Sequence, residues 1–510
     1  MTDEGALGRR NFLQHMAAAA GTVPAVPTLL SAAGGTAGAA APAAAAGRHA
    51  AEGERPWNRE ETAHETLRLA EYAAALRYED LPPAVIGRAK DCITDTVATI
   101  AYGADLPWSQ ILLAYAKRNG SGGRSRILGA NDALVHAPAA ALAHGAFAHA
   151  FELDNLTQPN SGSHPGATVL SSALAVAQER GIGGRELVTA FVAGAEVMIR
   201  IGRATRHTNE ERGFHAPGTT GPFGAAVAAG RLMGFDAARM ANALGIAGSL
   251  ACGLLEFARS GTGAMVKRLH LGRAAESGVL AASLAADGFT GPSSVLEGEF
   301  GFLRVYCRDW DLAALTRELG ESYATMSILM KRFACHITAH TPVEAILDLR
   351  NEHNFTGADV ESIAIVGNDR VAKVNNIPRP VDRMMAQYSV PFAVALALYR
   401  DPRDPRSFDE AAVQDPEILG LAARTTIAPA NPPQDRSNLA ATVVVTLKDG
   451  RVVSRHVAEF KGMPARPLEP QELREKFLLL TRHLGRDRME RLFERLQQIE
   501  TEGDLDWVAV

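Results

Sequence analysis

Four short stretches of this 510-residue chain concentrate side chains able to hold negative charge and move protons. The first is Glu152-Leu153-Asp154-Asn155, separated by the loop Leu156 to Ser163 from His164-Pro165-Gly166. Carboxylates at the end of a helix meet an unfavourable dipole, whereas a histidine at the next helix start is favoured in its neutral form. Both groups then hold protonation states useful in acid-base work, although Asp154 and Asn155 could equally serve as plain helix caps. The second stretch, Gly213-Phe214-His215-Ala216-Pro217-Gly218-Thr219-Thr220-Gly221, reads as a loop because of its Gly and Pro content. It sets His215 before a helix expected to begin near Pro222, whose free N–H groups would face an anion.

The third stretch is Met265-Val266-Lys267-Arg268-Leu269-His270, just after Gly261-Thr262-Gly263. It reads either as a solvated basic face or as a partly buried lysine whose pKa is drawn down by desolvation. The fourth is the densest: Lys331-Arg332-Phe333-Ala334-Cys335-His336-Ile337-Thr338-Ala339-His340. Two cations, a thiol and two imidazoles so close together are poorly explained as a plain surface face. A Cys335–His336 nucleophile is the rival reading, but adjacent residues on a helix point to different faces and no cysteine-protease signature is present. No H-E-x-x-H or carboxylate pattern accompanies the histidines, so no metal site is expected from them. Jointly the four stretches describe a site for a small anion.

The elements that must position these groups are mostly helical. Ile86, Ala89, Ile93, Val97 and Ile100 recur at three- and four-residue steps after Pro82-Pro83, ending at Gly103. Further helices are expected at Ala137 to Asp154, Ala167 to Arg180, Arg185 to Thr205, Pro222 to Met233, Ala237 to Leu254 and Arg273 to Asp287. Their Ala- and Gly-rich faces favour close helix packing over a coiled coil. After about Met326 the character changes. Ser362 to Val366 reads as a buried strand, and Thr442 to Val453 as a hairpin with a primed turn at Asp449-Gly450. A helix at Val390 to Tyr399 lies between them, and Gln471 to His483 and Arg488 to Ile499 are amphipathic. The fold class is mainly α: a helical domain over 58–326, an α+β domain over 327–466, and C-terminal helices over 467–510 returning to the first.

Composition narrows the function classes. A net charge of -5 gives no electrostatic reason to expect nucleic acid, and four scattered cysteines without a Cys-x-x-Cys pair argue against zinc, iron-sulfur or disulfide scaffolds. Arg9-Arg10-Asn11-Phe12-Leu13 before an Ala-rich run reads as a twin-arginine signal and leader over 1–46, implying export to the periplasm; without it the protein would be cytoplasmic. The run is too broken by Gly and Pro for a membrane anchor.

The four stretches, in this order from about residue 60 to the end, resemble the MmgE/PrpD family of 2-methylcitrate dehydratases, cis-aconitate decarboxylases and iminodisuccinate epimerases. The acidic D-F-D-D-T segment and His-Pro step of that family are similar to Glu152 to Asn155 and His164-Pro165. Its F-H-P, K-P-L-H-x-G, K-R-F-P-A-H and A-K-F-S segments are similar to Phe214 to Pro217, Lys267 to Gly272, Lys331 to His336 and Ala386 to Ser389. Glu152 stands for an Asp, Asn155 for an acid and Gln387 for a Lys, and Ala216-Pro217 follows His215 where the family often has Pro directly. The resemblance implies a helical domain with a smaller α+β lid, a homodimer, and chemistry without metal or organic cofactor. It implies His164, His215, Lys267, Lys331 and His336 as catalytic groups. Glu152, Asp154, Thr157, His270, Arg332 and Tyr388 are expected to contact a small anionic carboxylate substrate. The leading expectation is dehydration of a 2-methylcitrate-like hydroxy acid through a carboxylate-stabilised carbanion. Decarboxylation or epimerisation on the same scaffold is the alternative, and an exported polycarboxylate-binding protein without turnover is a third.

Overall fold

The computed structural model describes residues 64–130, 133–158, 161–259, 264–368, 371–372, 375–432 and 439–509. The twin-arginine leader and the joint Gly261 to Gly263 lie outside the described residues. The fold is mainly α with a smaller α+β part.

Four helices form the centre of the helical part. Val266–Ala286 packs on both Ala216–Leu232 and Ala137–Ala148, and Ala216–Leu232 packs on Gly184–Ala204. Small residues let these axes approach closely. A Cβ at Gly272 would stand 2.4 Å from the Leu142 carbonyl oxygen, and one at Gly278 would stand 2.3 Å from Ala225 Cβ. Ridges this shallow bring backbone against backbone, so side chains on these helices are placed with little slack.

Three helix boundaries differ from the sequence expectation, and each difference bears on the site. Ala137–Ala148 stops before His149, so His149 to Asn155 form a turn instead of a last helical stretch. Val266–Ala286 starts earlier than Arg273, which puts Lys267, Arg268 and His270 inside the helix. The expected loop at Gly213 to Gly221 is largely the start of the helix Ala216–Leu232. Pro217 is tolerated there because the first helical N–H groups have no intrahelical partner. Pro222 lies inside the helix and cannot donate to the Gly218 carbonyl, but that oxygen accepts from the Cys252 N–H at 3.3 Å. An outside donor thus fills the gap that proline leaves.

The sheet has four strands in the order Thr425–Pro429, Val360–Gly367, Ala441–Leu447, Val452–Val457. The first pair is parallel and the other two antiparallel. Thr425–Pro429 was not foreseen: Thr425-Thr426-Ile427-Ala428-Pro429 has one large apolar residue and ends in proline, a poor strand signal. The hairpin forms, but its turn is not a primed one. Only Gly450 in the loop takes a positive φ, and its N–H donates to the Leu447 carbonyl at 2.9 Å. Helix His340–His353 packs on the two antiparallel hairpin strands, and Val390–Tyr399 packs beside it. Helices Pro470–Thr481 and Arg486–Leu496 lie against Pro83–Ala104. Among the described residues no helix is long and apolar enough to cross a membrane.

Candidate active site

The turn His149 to Asn155 is the hub. Because the helix before it ends at Ala148, Glu152 and Asp154 are released from helical geometry and project in different directions. Glu152 is buried and bonded to both Lys267 and Lys331, the latter at 2.7 Å. Burial alone would raise its pKa, but the two ammonium groups outweigh that and hold the carboxyl well below its usual range. Its backbone N–H donates to Gln387 Oε1 at 3.2 Å, so the residue standing for the family's lysine fixes the turn. Lys267 lies in the first turn of its helix and packs over the ring of Tyr388 at 4.9 Å. Burial lowers the Lys267 pKa, opposed by Glu152. Burial and then Glu152 push the Tyr388 phenol well above its usual value, so it stays protonated.

Asp154 has no exposed surface and does not reach the cavity. It sits between two imidazoles: His149 Nδ1 lies 3.0 Å from each carboxylate oxygen, and His164 Nδ1 lies 2.7 Å from Oδ2. Burial would raise its pKa, but the two histidines hold it well below the usual range. An ionised carboxylate only accepts, so both imidazoles carry their proton on Nδ1 and leave Nε2 as the basic atom. Asp154 therefore fixes the tautomer of both imidazoles and lies off the wall on which a substrate contact was expected of it. His149 was missed by sequence reasoning; its signal was the spacing His149, Glu152, Asp154 after an apolar helix. Burial draws His149 down to about 3, with Asp154 pulling the other way. His149, Asp154 and His164 place ligand atoms within 4.8 Å of one another, a spacing a metal ion could bridge. The Nδ1 atoms are engaged by hydrogen bonds to Asp154, and Lys331 Nζ stands 3.8 Å from Asp154 Oδ1.

His215 caps the helix Ala216–Leu232 and approaches His270 at 3.1 Å between Nδ1 atoms. One of the two must donate and the other accept, so they hold opposite tautomers. Burial and then Lys267 keep both below the ordinary histidine range, His270 at about 4. His215 lines the cavity, whereas His270 stands behind it against Phe257.

The cavity measures about 90 Å³, room for a small carboxylate and not for a nucleotide. Glu152, His164, His215, Lys267, Lys331, His336 and Tyr388 meet on its wall. His336 stacks on Tyr388 with ring centres 5.4 Å apart and bonds Thr338 Oγ1 through Nδ1 at 2.9 Å. Besides Asp154, three expected residues are not on this wall. Thr157 pairs with Ile328 in a two-residue strand, and it is the flanking Leu156 and Gln158 that reach the cavity, as strand alternation requires. Arg332 faces a separate surface cavity with Arg350, Arg400 and Asp401, in an irregular segment that bends at Phe333 to Cys335. His270 is the third, placed as described. Phe257 and Asn375 also line the cavity and carried no recognisable signal in the sequence. The densest stretch divides: Cys335 is fully buried with its thiol pushed up by burial, which disfavours a nucleophile. His340 packs on Phe333 and Phe460 and accepts from the Phe333 N–H, a core histidine.

Residues 67–314 match the MmgE/PrpD N-terminal domain, and residues 333–499 match the MmgE/PrpD C-terminal domain. The chain belongs to the MmgE/PrpD family. Among its curated relatives is the cis-aconitate decarboxylase of Aspergillus terreus, 29% identical over 440 residues, covering 81% of this chain and 89% of that one. The human cis-aconitate decarboxylase is 29% identical over 445 residues, covering 83% and 89%. The mouse cis-aconitate decarboxylase is 27% identical over 443 residues, covering 83% and 88%. These relatives indicate an enzyme of the lyase type.

Proposed function

We propose that this MmgE/PrpD protein decarboxylates a small unsaturated tricarboxylate of the cis-aconitate kind. The observation that carries the reading is the Glu152 carboxylate held between Lys267 and Lys331 on the wall of a small cavity that also presents His164 and His215. A clasp that binds one carboxylate from the protein suits a second from a substrate. The curated relatives support decarboxylation over the dehydration expected from the sequence.

The chemistry follows from charge. When the C–C bond to a carboxylate on the allylic carbon breaks, CO₂ leaves and its electron pair forms a new double bond. The former double-bond pair moves to the carbon beside a remaining carboxylate, and the negative charge spreads onto the oxygens there. Buried lysines stabilise such charge most where water is excluded. One proton must then reach carbon. A polyanion entering the cavity draws a proton onto an imidazole of the wall, and Asp154 behind His164 stabilises the imidazolium that forms. Each turnover thus releases one CO₂ and consumes one proton.

The test is incubation of the purified chain with cis-aconitate in deuterated water, following CO₂ release and deuterium in the product by NMR. Release of CO₂ with one deuterium on carbon supports the reading. Loss of water from 2-methylcitrate without decarboxylation of cis-aconitate would replace it with a dehydratase, deuterium exchange alone with an epimerase, and tight binding without turnover with a carrier.

A further inference from the structure

Arg268 stands where the K-P-L-H motif carries proline, and it is one of the largest fully buried side chains, 2% exposed. A guanidinium taken out of water needs compensation, most often a carboxylate. Among the described residues none pairs with Arg268. Its Nε donates to the Ala150 carbonyl at 3.4 Å and one terminal nitrogen to the Ala264 carbonyl at 3.3 Å, both long bonds. The group lies 5.5 Å from the ring of Trp108, whose indole N–H donates to the same Ala150 carbonyl at 3.1 Å. Arg268 does not line the cavity, yet its charge acts on two groups that do: it opposes the protonated form of Lys267 and favours the ionised form of Tyr388.

The buried charges around the cavity do not cancel. Lys267, Lys331 and Arg268 are positive, and Glu152 and Asp154 are negative, all of them buried. His149, His215 and His270 are held neutral by burial. Among these five ionised groups one positive charge is left over, and Arg268 is the cation without an acidic partner among the described residues. The positive end of the helix Val266–Ala286 lies at the same place and adds to it.

We propose that Arg268 is a charge-supplying positioning residue that sets how many negative charges the site accepts, favouring ligands with two or more carboxylates over monoanions. The idea deepens the reading of the site as a polycarboxylate site and rests on it, but it does not depend on which reaction follows. A fixed positive charge attracts a dianion twice as strongly as a monoanion at the same distance, and burial protects that field from salt. Succinate and succinamate serve as probes, since they share a carbon skeleton and differ by one charge. Calorimetric titration of the full chain should show succinate bound more tightly than succinamate by about tenfold or more. In Arg268→Met that preference should shrink to about threefold or less. Arg268→Gln keeps N–H donors for the Ala150 carbonyl without the charge, so it should behave like Arg268→Met even if the methionine variant folds poorly. Arg268→Lys restores charge and should restore the preference. The proposal is overturned by an unchanged preference in both neutral variants, by a lysine variant as unselective as the neutral ones, or by a wild-type chain that does not discriminate. Calorimetry needs no turnover, so an absence of CO₂ release from cis-aconitate would sink the proposed reaction and leave this test standing.

Discussion

The carboxylate of Glu152 is shared by two lysines that come from distant parts of the chain, 115 and 179 positions away. Replacing Lys267 or Lys331 by methionine removes one arm of the clasp, and kcat/KM for cis-aconitate should fall by a hundredfold or more, roughly the loss seen when one charge-stabilising donor is removed. Circular dichroism of the folded variants should be unchanged, and near-normal turnover in either would refute the assignment. Asp154→Asn tests the orienting role. With the amide oxygen at Oδ2, its NH₂ group replaces Oδ1 at 3.0 Å from His149 Nδ1, where donor would face donor, so one ring must turn or change tautomer. A loss of about a hundredfold in kcat with KM nearly unchanged is expected. A raised KM with unchanged kcat would return Asp154 to the role of a substrate contact.

At the scale of elements, the helix carrying Lys267 is placed by contacts that leave no room. Gly272→Ala would drive a methyl group to 2.4 Å from the Leu142 carbonyl and push Val266–Ala286 away from Ala137–Ala148, the helix that leads into the Glu152 turn. Overpacking of this kind costs about 1–3 kcal/mol, measurable by denaturant unfolding, and activity should fall with it because both sides of the clasp move. The same elements show what the sequence made legible. Periodic apolar positions located the helix Pro83–Ala104 to within a few residues, and Val390–Tyr399 matched its expected ends. The start of Ala216–Leu232 was hidden because two prolines and three glycines read as a loop, and only the tertiary donor from Cys252 makes Pro222 acceptable. Lys267, Lys331, Glu152, His164, His215 and His336 line the cavity and were legible because each sits in a short run where titratable, Gly or Pro residues gather. His149 was not, because it stands in apolar company, Phe147-Ala148-His149-Ala150-Phe151, and its partners are set by a turn. Thr157 sits in a strand, where neighbours face opposite sides and a sequence does not say which side is inward, and Arg332 sits in an irregular segment whose side-chain directions have no sequence period.

For the molecule as a whole, buried imidazoles make stability depend on acidity. His144 is fully buried, its Nε2 accepts from the Leu128 N–H, and burial lowers its pKa to about 4. The unfolded chain takes up a proton near pH 6.5 that the folded chain refuses until about 4. The unfolded state therefore binds more protons across that window, and stability falls as pH drops through it, by about 1.4 kcal/mol per unit for each such group. Glu152 and Asp154, held below their usual range, act in the same direction, because their contribution is lost as pH falls through their folded values. Thermal midpoints measured from pH 7 down to pH 4 should decline steadily, and His144→Gln, which keeps an acceptor for Leu128, should flatten the slope. A profile that is level over this range would contradict the burial argument.

Lys476, in the helix Pro470–Thr481, donates to Asp95 at 2.5 Å and to the Leu153 carbonyl at 3.0 Å, a contact spanning 323 positions. Leu153 lies between the two acids of the site, so the turn is braced by a residue that leaves the ribosome long after it. A nascent chain can therefore lay down its helices in order, yet its hub gains this brace only once the C-terminal helices have emerged. Chains stalled before Pro470 should be inactive, and supplying 467–510 as a separate peptide should restore part of the lost turnover, which makes the order of synthesis a built-in delay on the chemistry.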